Sequence, residues 1–251
     1  MLLTRKSVEL LAPAGTWDSL VAAVEAGADA VYLGGKHFNM RLHRSDTNFD
    51  DDMLKKAVDY AHTHGVKLYI TINNLLSDRE LAPLKKYLLY LDTIKPDALL
   101  VQDLAVLELV RELKISIPLH TSVMMNTHNE HAINKLKEYG ITRIVVGREM
   151  TLSELSLFKE RTGIEVEYFM HGDMCISESG QCIHSGVVFG QSSNRGRCLK
   201  MCRWACKLLD EATGEIVTEN DPGDYRLAIK DMARGINDID LDILIHNSRV
   251  F

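Results

Sequence analysis

The chain has 251 residues, 46% of them hydrophobic and 25% charged, and its formal net charge is −6. This length and composition suit one large domain with a full core, and the negative balance excludes a global attraction to nucleic acid or anionic membranes. No apolar run approaches the roughly 18 residues of a membrane span, and the first residues do not resemble a signal peptide, so we expect a cytoplasmic protein.

Seven short apolar runs alternate with longer amphipathic stretches along the chain. The runs are rich in Val, Ile, Leu or Tyr, as buried parallel strands are. They are VELLAPAG (8–15), AVYLGG (30–35), KLYITINN (67–74), ALLVQD (98–103), IPLHTSV (117–123), RIVVGRE (143–149) and EVEYFMHG (165–172). Between them, Thr16 is a good helix N-cap, and Thr151 with Glu154 forms the pattern of a capping box.

Seven strand–helix units in a chain of this length favour a TIM-type (β/α) barrel over an open doubly wound sheet. The prediction assigns residues 1–170 to barrel strands one to seven with their helices. Residues 171–210 form a Cys-rich segment inserted after strand seven. Residues 211–251 form a C-terminal segment in which LDILIHN (241–247) is a truncated eighth strand, so the barrel is expected to be incomplete at its C-terminus.

Polar residues stand where the predicted strands end, and in TIM-type barrels the chemistry lies at those carboxyl ends. Together they predict a polar pocket, although any one of them could instead cap a helix or solvate the rim. These residues are Asn73, Asn74, Gln102, Asp103, His120, Ser122, Arg148, Glu149 and His171. Near the start of strand one, Glu9 could point into the barrel or outward, and the sequence leaves both orientations open.

All five cysteines lie within the 32 residues from Cys175 to Cys206. Clustered thiols in a reducing compartment more often bind a metal than form disulfides. Four thiolates suit an iron–sulfur cluster or zinc, and neighbouring glycines let a backbone wrap closely around an inorganic core. Cys206 is interpreted as a spare thiol.

The segments ELLAPAG, GADAVYLGG, MHGDMCISESGQC, NRGRC, CRW and YRLAIKDM resemble the peptidase U32 family, also called collagenase-like proteases. Among its branches, CRW resembles the tRNA hydroxylation proteins, which make 5-hydroxyuridine with prephenate implicated. The resemblance implies a 4Fe–4S cluster, with zinc as the alternative, on Cys175, Cys182, Cys198 and Cys202. Some branches carry a cysteine where this chain has Ala233, which favours Cys202 as the fourth ligand.

Two features depart from the family pattern. Asp173 and Met174 replace the usual small residue and Leu, and the chain reads LDILIHNSRVF where the family continues into a strand ending in Lys-x-Glu-Gly-Arg. The second departure leaves open whether this chain alone is active.

Three functions from different classes therefore compete. The first is iron–sulfur-dependent tRNA uridine hydroxylation, the second is a collagenase-like peptidase, and the third is a non-catalytic iron–sulfur or zinc scaffold subunit. Neither a G-x-S-x-G elbow nor an H-E-x-x-H motif occurs in the sequence, which favours the first.

Candidate site residues follow from the same reasoning. Arg148 and Arg195 could grip a carboxylate donor such as prephenate, because guanidinium binds carboxylates in a two-point fork, and His171 could contact the cluster or substrate. Basic residues around Trp204 suit phosphate contact and base stacking, or they could balance an anionic cluster while the indole packs in the core. The candidates for contact with RNA are Asn73, Asp103, His120, Arg197, Arg203 and Trp204. The expected partners are tRNA, a small carboxylate donor, and a protein partner or second copy.

Overall fold

A computed structural model describes residues 8–44, 46–171, 175, 177–204 and 212–214. In this part of the chain, seven strands form one parallel sheet in which each strand pairs with the next in sequence. The strands are β1 (Leu11–Pro13), β2 (Ala30–Gly34), β3 (Lys67–Ile72), β4 (Ala98–Val101), β5 (Leu119–Thr121), β6 (Ile141–Val145) and β7 (Glu165–Glu167).

An α-helix follows each of the strands β1 to β6, and a short one lies in the Cys-rich segment. The helices are α1 (Trp17–Glu25), α2 (Asp51–Thr63), α3 (Asp78–Ile94), α4 (Leu104–Glu112), α5 (Glu130–Glu138), α6 (Leu152–Thr162) and α7 (His184–Phe189). Across the described ranges, none of the helices has both the length and the apolar character needed to cross a membrane.

Local sequence explains where the helices begin. Thr16 accepts a hydrogen bond from Ser19 N and caps α1, and Thr151 forms the predicted capping box with Glu154 at the start of α6. Asp50 accepts from Met53 N and caps α2. Such side chains satisfy backbone donors that lack a partner in the first helical turn.

The sheet curls, so that strands far apart in its order meet across its interior. Arg143 Nη1 on β6 lies 3.4 Å from the hydroxyl of Tyr69 on β3. In a flat sheet, strands three positions apart would be separated by about 14 Å, because neighbouring strands lie about 4.8 Å apart. The parallel order and this curvature confirm the predicted TIM-type architecture. The predicted eighth strand (241–247) lies outside the described residues.

Two hydrophobic clusters lie on opposite faces of the sheet. The larger one packs the sheet against the helices and includes Leu68 and Ile70. The smaller one includes Tyr69 and Leu100, and its members come from the strands or from the segments that follow them. Because side chains alternate between the faces of a strand, the smaller cluster lines the inside of the barrel, which we call the lumen.

Candidate functional site

Asn73, just after β3, connects loops at the carboxyl end of the barrel. Its Nδ2 donates to Ser122 Oγ at 3.3 Å, and its Oδ1 accepts from Met40 N at 3.1 Å. Met40 follows β2 and Ser122 follows β5, so one amide fixes the relative positions of three strand ends. Asn73 is thus part of the rim, and its contact with RNA stays a prediction.

Asp103 caps α4 through its carboxylate. Its Oδ1 accepts from Ala105 N and its Oδ2 accepts from Leu76 N, both at 2.9 Å. The sequence left open whether the strand-end residues cap helices, and Asp103 does so. Both carboxylate oxygens already bind backbone donors, while the predicted contact of Asp103 with RNA remains untested.

His120 lies inside the lumen rather than on the rim. Its ring meets the Tyr69 ring edge-on, with centroids 4.9 Å apart, and the residue is 5% exposed. Burial and the nearby positive charge of Arg143 lower the pKa of His120 to about 3, so the imidazole is neutral at pH 7. A neutral imidazole can accept or donate a hydrogen bond but carries no charge for phosphate.

Glu9 points into the lumen and forms the centre of an ionic network, which settles the orientation left open by the sequence. Its Oε1 accepts from the Tyr69 hydroxyl at 2.7 Å and from Arg143 Nη1, and its Oε2 pairs with Lys67 Nζ at 2.7 Å. Burial alone would raise the pKa of Glu9, but these donors lower it to about 2. The carboxylate is therefore ionised over the whole physiological range.

Arg143 and Glu167 are residues of this network that the sequence analysis did not single out. Arg143 also pairs with Glu165 on β7 at 2.8 Å, and its Nη1 lies 3.9 Å from Glu167 Oε2. A signal was available, because charged residues inside the short apolar runs RIVV and EVEYF are unusual for strands buried on both faces.

The Cys-rich segment covers the carboxyl end of the barrel, and we call its described residues 175 and 177–204 the cap. Arg148, after β6, fastens its first part, because Nη2 donates to Ser177 O at 3.2 Å and to Ser179 Oγ at 3.1 Å. Gly180 has a φ of +75°, and an added Cβ there would overlap the backbone oxygen of Met124, just after β5. Only glycine allows this approach without strain.

The second part of the cap is fastened to the loops after β2 and β3. Gly196 O accepts from His43 Nδ1 at 2.9 Å, and Asn194 O accepts from Leu75 N at 2.8 Å. Arg195 donates to Leu75 O at 3.1 Å and pairs with Glu80 at 2.8 Å. The cap is thus held by the loops after β2, β3, β5 and β6, directly over the barrel mouth.

Four of the five cysteines lie in the cap, all of them partly buried, and no disulfide links these four. Thiolates are the donors that iron–sulfur clusters and zinc take. Among the described residues, however, no three His, Cys, Asp or Glu side chains stand together as a metal-binding group. As placed, Cys175, Cys182, Cys198 and Cys202 do not complete a ligand set, and the predicted cluster remains a prediction. Cys206 lies outside the described residues.

Of the other predicted mouth residues, Asn74 and Gln102 are buried, whereas the candidates His171, Arg197, Arg203 and Trp204 belong to the segment after β7. His171 and Arg197 are exposed, and Arg203 ends the 3-10 turn Met201–Arg203. Trp204 is 50% exposed, and its ring contacts that of Phe189 with centroids 5.6 Å apart. The indole is therefore available to solvent, which disagrees with the alternative that it packs in the core.

These features define a TIM-type barrel whose polar carboxyl mouth is covered by a cysteine-bearing cap. The chain belongs to peptidase family U32, whose family model matches residues 15–241. It is 33% identical over 229 residues to tRNA hydroxylation protein P1 of Bacillus subtilis, a match that covers 90% of this chain and 54% of that protein.

A second relative is a 23S rRNA 5-hydroxycytidine synthase of Escherichia coli, 36% identical over 220 residues, which are 87% of this chain and 32% of that protein. Among solved structures, the U32 peptidase Mk0906 superimposes with a TM-score of 0.54 at 16% identity, over 66% of this chain and 71% of that one. At that identity the likeness shows the fold alone. The chain spans about half the length of the tRNA hydroxylation protein and about a third of the rRNA enzyme.

Proposed function

We propose that this chain carries the barrel of an enzyme that hydroxylates tRNA uridine to 5-hydroxyuridine. The observation that carries the proposal is the position of the cap, which holds cysteine thiols over a polar barrel mouth in a family whose relatives include proteins named for RNA hydroxylation. Such an arrangement brings redox-capable donors next to a pocket that can bind a substrate. The proposal locates the protein in the cytoplasm, where thiols stay reduced.

Part of the proposal is a 4Fe–4S cluster on Cys175, Cys182, Cys198 and Cys202, with zinc as the alternative. The donor set supports it, since the four thiols lie in one segment and none is consumed by a disulfide with another. Bound there, the cluster would supply electron transfer. The contacts of the cap residues would hold the cluster at the mouth. To bind it, the four sulfurs would have to lie closer together than they do in the arrangement described above.

A carboxylate co-substrate such as prephenate is proposed to bind near Arg148. Although two cap oxygens occupy its Nη2, its buried Nε has no hydrogen-bond partner among the described residues. Buried donors usually have a partner, so this one favours an acceptor from a ligand. Arg195 is less suited, because its guanidinium already pairs with Glu80 and Leu75 O.

The outer surface of the cap is the proposed contact for RNA. Trp204 and Phe189 expose their rings, and Arg197 and Lys200 are exposed in the same segment. Bases stack on aromatic rings, and cationic side chains bind phosphates, so this combination suits a single-stranded loop. A protein partner or second copy could cover part of the same surface, and size measurements on the protein with and without RNA would show it.

The test is complementation of a deletion strain with the wild-type chain, a Cys175→Ala variant and a Cys206→Ala control. We expect 5-hydroxyuridine in total tRNA to be restored by the wild type and the control, but not by Cys175→Ala. Visible absorption with iron and zinc analysis of anaerobically purified protein tests the cluster separately. Loss of restoration by Cys206→Ala alone would contradict the ligand assignment.

A peptidase is the second candidate, favoured by the family to which the chain belongs. Hydrolysis needs an activated nucleophile. Two histidines at the barrel mouth bond to groups that do not act as nucleophiles, His43 to Gly196 O and His128 to Asn126 Oδ1. Peptide cleavage by cluster-free protein, with unchanged tRNA nucleosides after deletion, would make the peptidase the better proposal. If the protein shows neither activity but binds metal, the scaffold subunit becomes the better proposal.

A further inference from the structure

The lumen beneath the cap carries more polar groups than the mechanism proposed above uses. Tyr69, His120 and Arg143 are joined by the contacts already described. Gln102 comes two positions after the lumen-facing Leu100, and Glu167 comes two positions before Phe169, which packs in the lumen cluster. Because alternate residues of a strand share a face, both side chains belong to the lumen.

The charges of the lumen balance without Glu167. Lys67 pairs with Glu9 at 2.7 Å, and Arg143 pairs with Glu9 and with Glu165. Glu167 Oε2 is 3.9 Å from Arg143, too far for a hydrogen bond, and its side chain is only 15% exposed. Burial raises the pKa of Glu167 to about 7, although the charge of Arg143 partly offsets this effect. In a large fraction of the molecules, the Glu167 carboxyl is therefore protonated and uncharged near neutral pH.

Three buried polar atoms of the lumen have no hydrogen-bond partner in the described part of the chain. They are Glu167 Oε2, His120 Nδ1 and Gln102 Oε1. His120 is 5% exposed and Gln102 is 7% exposed, so bulk solvent does not satisfy them. Unpaired buried polar atoms are rare because each loses its hydration without compensation, and such a group usually has an unseen partner.

Two of these atoms lie at the end of the barrel that faces the cap, and His120 lies deeper, beside Tyr69. Glu167 is the last residue of β7, and Gln102 comes directly after β4. Both stand at the carboxyl ends of their strands, where TIM-type barrels bind substrates. A group that enters under the cap would meet Gln102 and Glu167 first, and would then reach His120, which lies in register with Arg143 of the ionic network.

We propose that this part of the lumen binds an uncharged, hydrogen-bonding group of the substrate, and that Glu167, His120 and Gln102 contact it. The inference rests on the proposed function, under which that group is the edge of a pyrimidine base. A protonated carboxyl, a neutral imidazole and an amide each offer both donor and acceptor capacity, which matches the mixed edge of such a base. A carboxylate would instead lack a countercharge among the described lumen residues, because Lys67 and Arg143 already pair with Glu9 and Glu165, so the acidic co-substrate belongs outside the lumen.

Binding of uracil to the purified full chain, measured by saturation-transfer NMR and calorimetry, tests the pocket directly. Orotate, which is uracil carrying a carboxylate, tests whether charge is excluded. Glu167→Ala removes the contact and Glu167→Gln keeps an uncharged hydrogen-bonding group. Glu165→Gln is the matched control, because Glu165 is on the same strand but its side chain is 67% exposed.

We expect Glu167→Ala to weaken uracil binding about three- to tenfold, the usual effect of losing one neutral hydrogen bond. Glu167→Gln and Glu165→Gln should stay within about threefold of wild type, and orotate should bind at least about tenfold more weakly than uracil. Gln102→Leu, which leaves Glu167 intact, should weaken uracil binding as well. Thermal unfolding of every variant identifies any that fails to fold.

Absence of uracil binding by the folded wild-type chain would overturn the proposal, as would equal binding of uracil by Glu167→Ala or equal binding of uracil and orotate. Nucleoside analysis of the complemented strain separates this failure from that of the proposed function. If the wild type restores no hydroxylated nucleoside but binds uracil through Glu167, the pocket stands and the proposed reaction falls. If nucleosides are restored equally by wild type and Glu167→Ala, and uracil does not bind, the pocket falls alone.

Discussion

Replacing Glu167 by glutamine should make the chain more stable at alkaline pH, and by an amount that depends on pH. In the wild type, burial raises the pKa of this carboxyl from 4.5 to about 7, with a smaller opposing effect of Arg143 and a small supporting effect of Glu9. Above that pH the folded protein must keep an ionised carboxylate in the lumen, whereas glutamine never carries this charge.

The sign follows from the two protonation states. Between pH 4.5 and about 7 the unfolded chain has lost the proton while the folded chain still holds it, so the free energy of unfolding falls as the pH rises. Below that window the contribution of Glu167 is fully present, and above it the contribution is lost. The two pKa values differ by about 2.5, and at about 1.4 kcal/mol for each pH unit the total is about 3 kcal/mol.

Urea unfolding at fixed temperature, from pH 4 to pH 8.5, measures the free energies of wild type and Glu167→Gln. Their difference should be level below about pH 4.5, rise in favour of the variant to about 3 kcal/mol near pH 7, and stay level above. Glu165→Gln should show no comparable rise, because that carboxylate is largely in solvent. A Glu167→Gln difference that is constant over the range, or that falls with pH, would refute the argument.

Three further outcomes are expected. Glu9→Gln should lower the free energy of unfolding by about 3 kcal/mol at pH 7, because the pKa of Glu9 is lowered to about 2. The loss should become smaller as the pH falls from 4.5 toward 2, which unfolding measurements across this acid range would show. Gly196→Ala should loosen the cap, since its Cβ would overlap Asn39 O, and speed its proteolysis more than Gly190→Ala, where the space is open. Thr151→Ala should cost about 1 kcal/mol in thermal unfolding, as loss of an N-cap does.

The strands and helix starts could be predicted because their signals are local. Thr16 and Thr151 cap the helices predicted for them, six of the apolar runs each contain a whole strand, and β6 begins at Ile141, two residues before its run. The strands are shorter than the runs, most of all at the first and last, where β1 covers only Leu11–Pro13 and β7 only Glu165–Glu167. An apolar run therefore predicts where a strand lies better than how long the strand is.

The interior of the candidate site could not be predicted, because it depends on which residues meet across the curled sheet. Arg143 and Glu9 are 134 positions apart in sequence, and the curl of the sheet brings them together. Arg148 and Arg195 were recognised as basic residues near the mouth, but the sequence does not show that both donate to backbone oxygens that fasten the cap. Charge alone does not reveal the partner of a side chain.

The attachment of the cap to loops after β2, β3, β5 and β6 makes the spacing of its thiols a measure of barrel shape. A distortion that separates these strand ends must pull the segment that spans them, because its glycines already touch backbone on both sides. Bifunctional thiol reagents of graded length, applied to Cys182 and Cys198 in chains that lack the other cysteines, would measure the distance between the two thiols. Substitutions at Arg143, deep in the lumen, should then change which reagent cross-links the pair, although no atom of that residue is part of the cap.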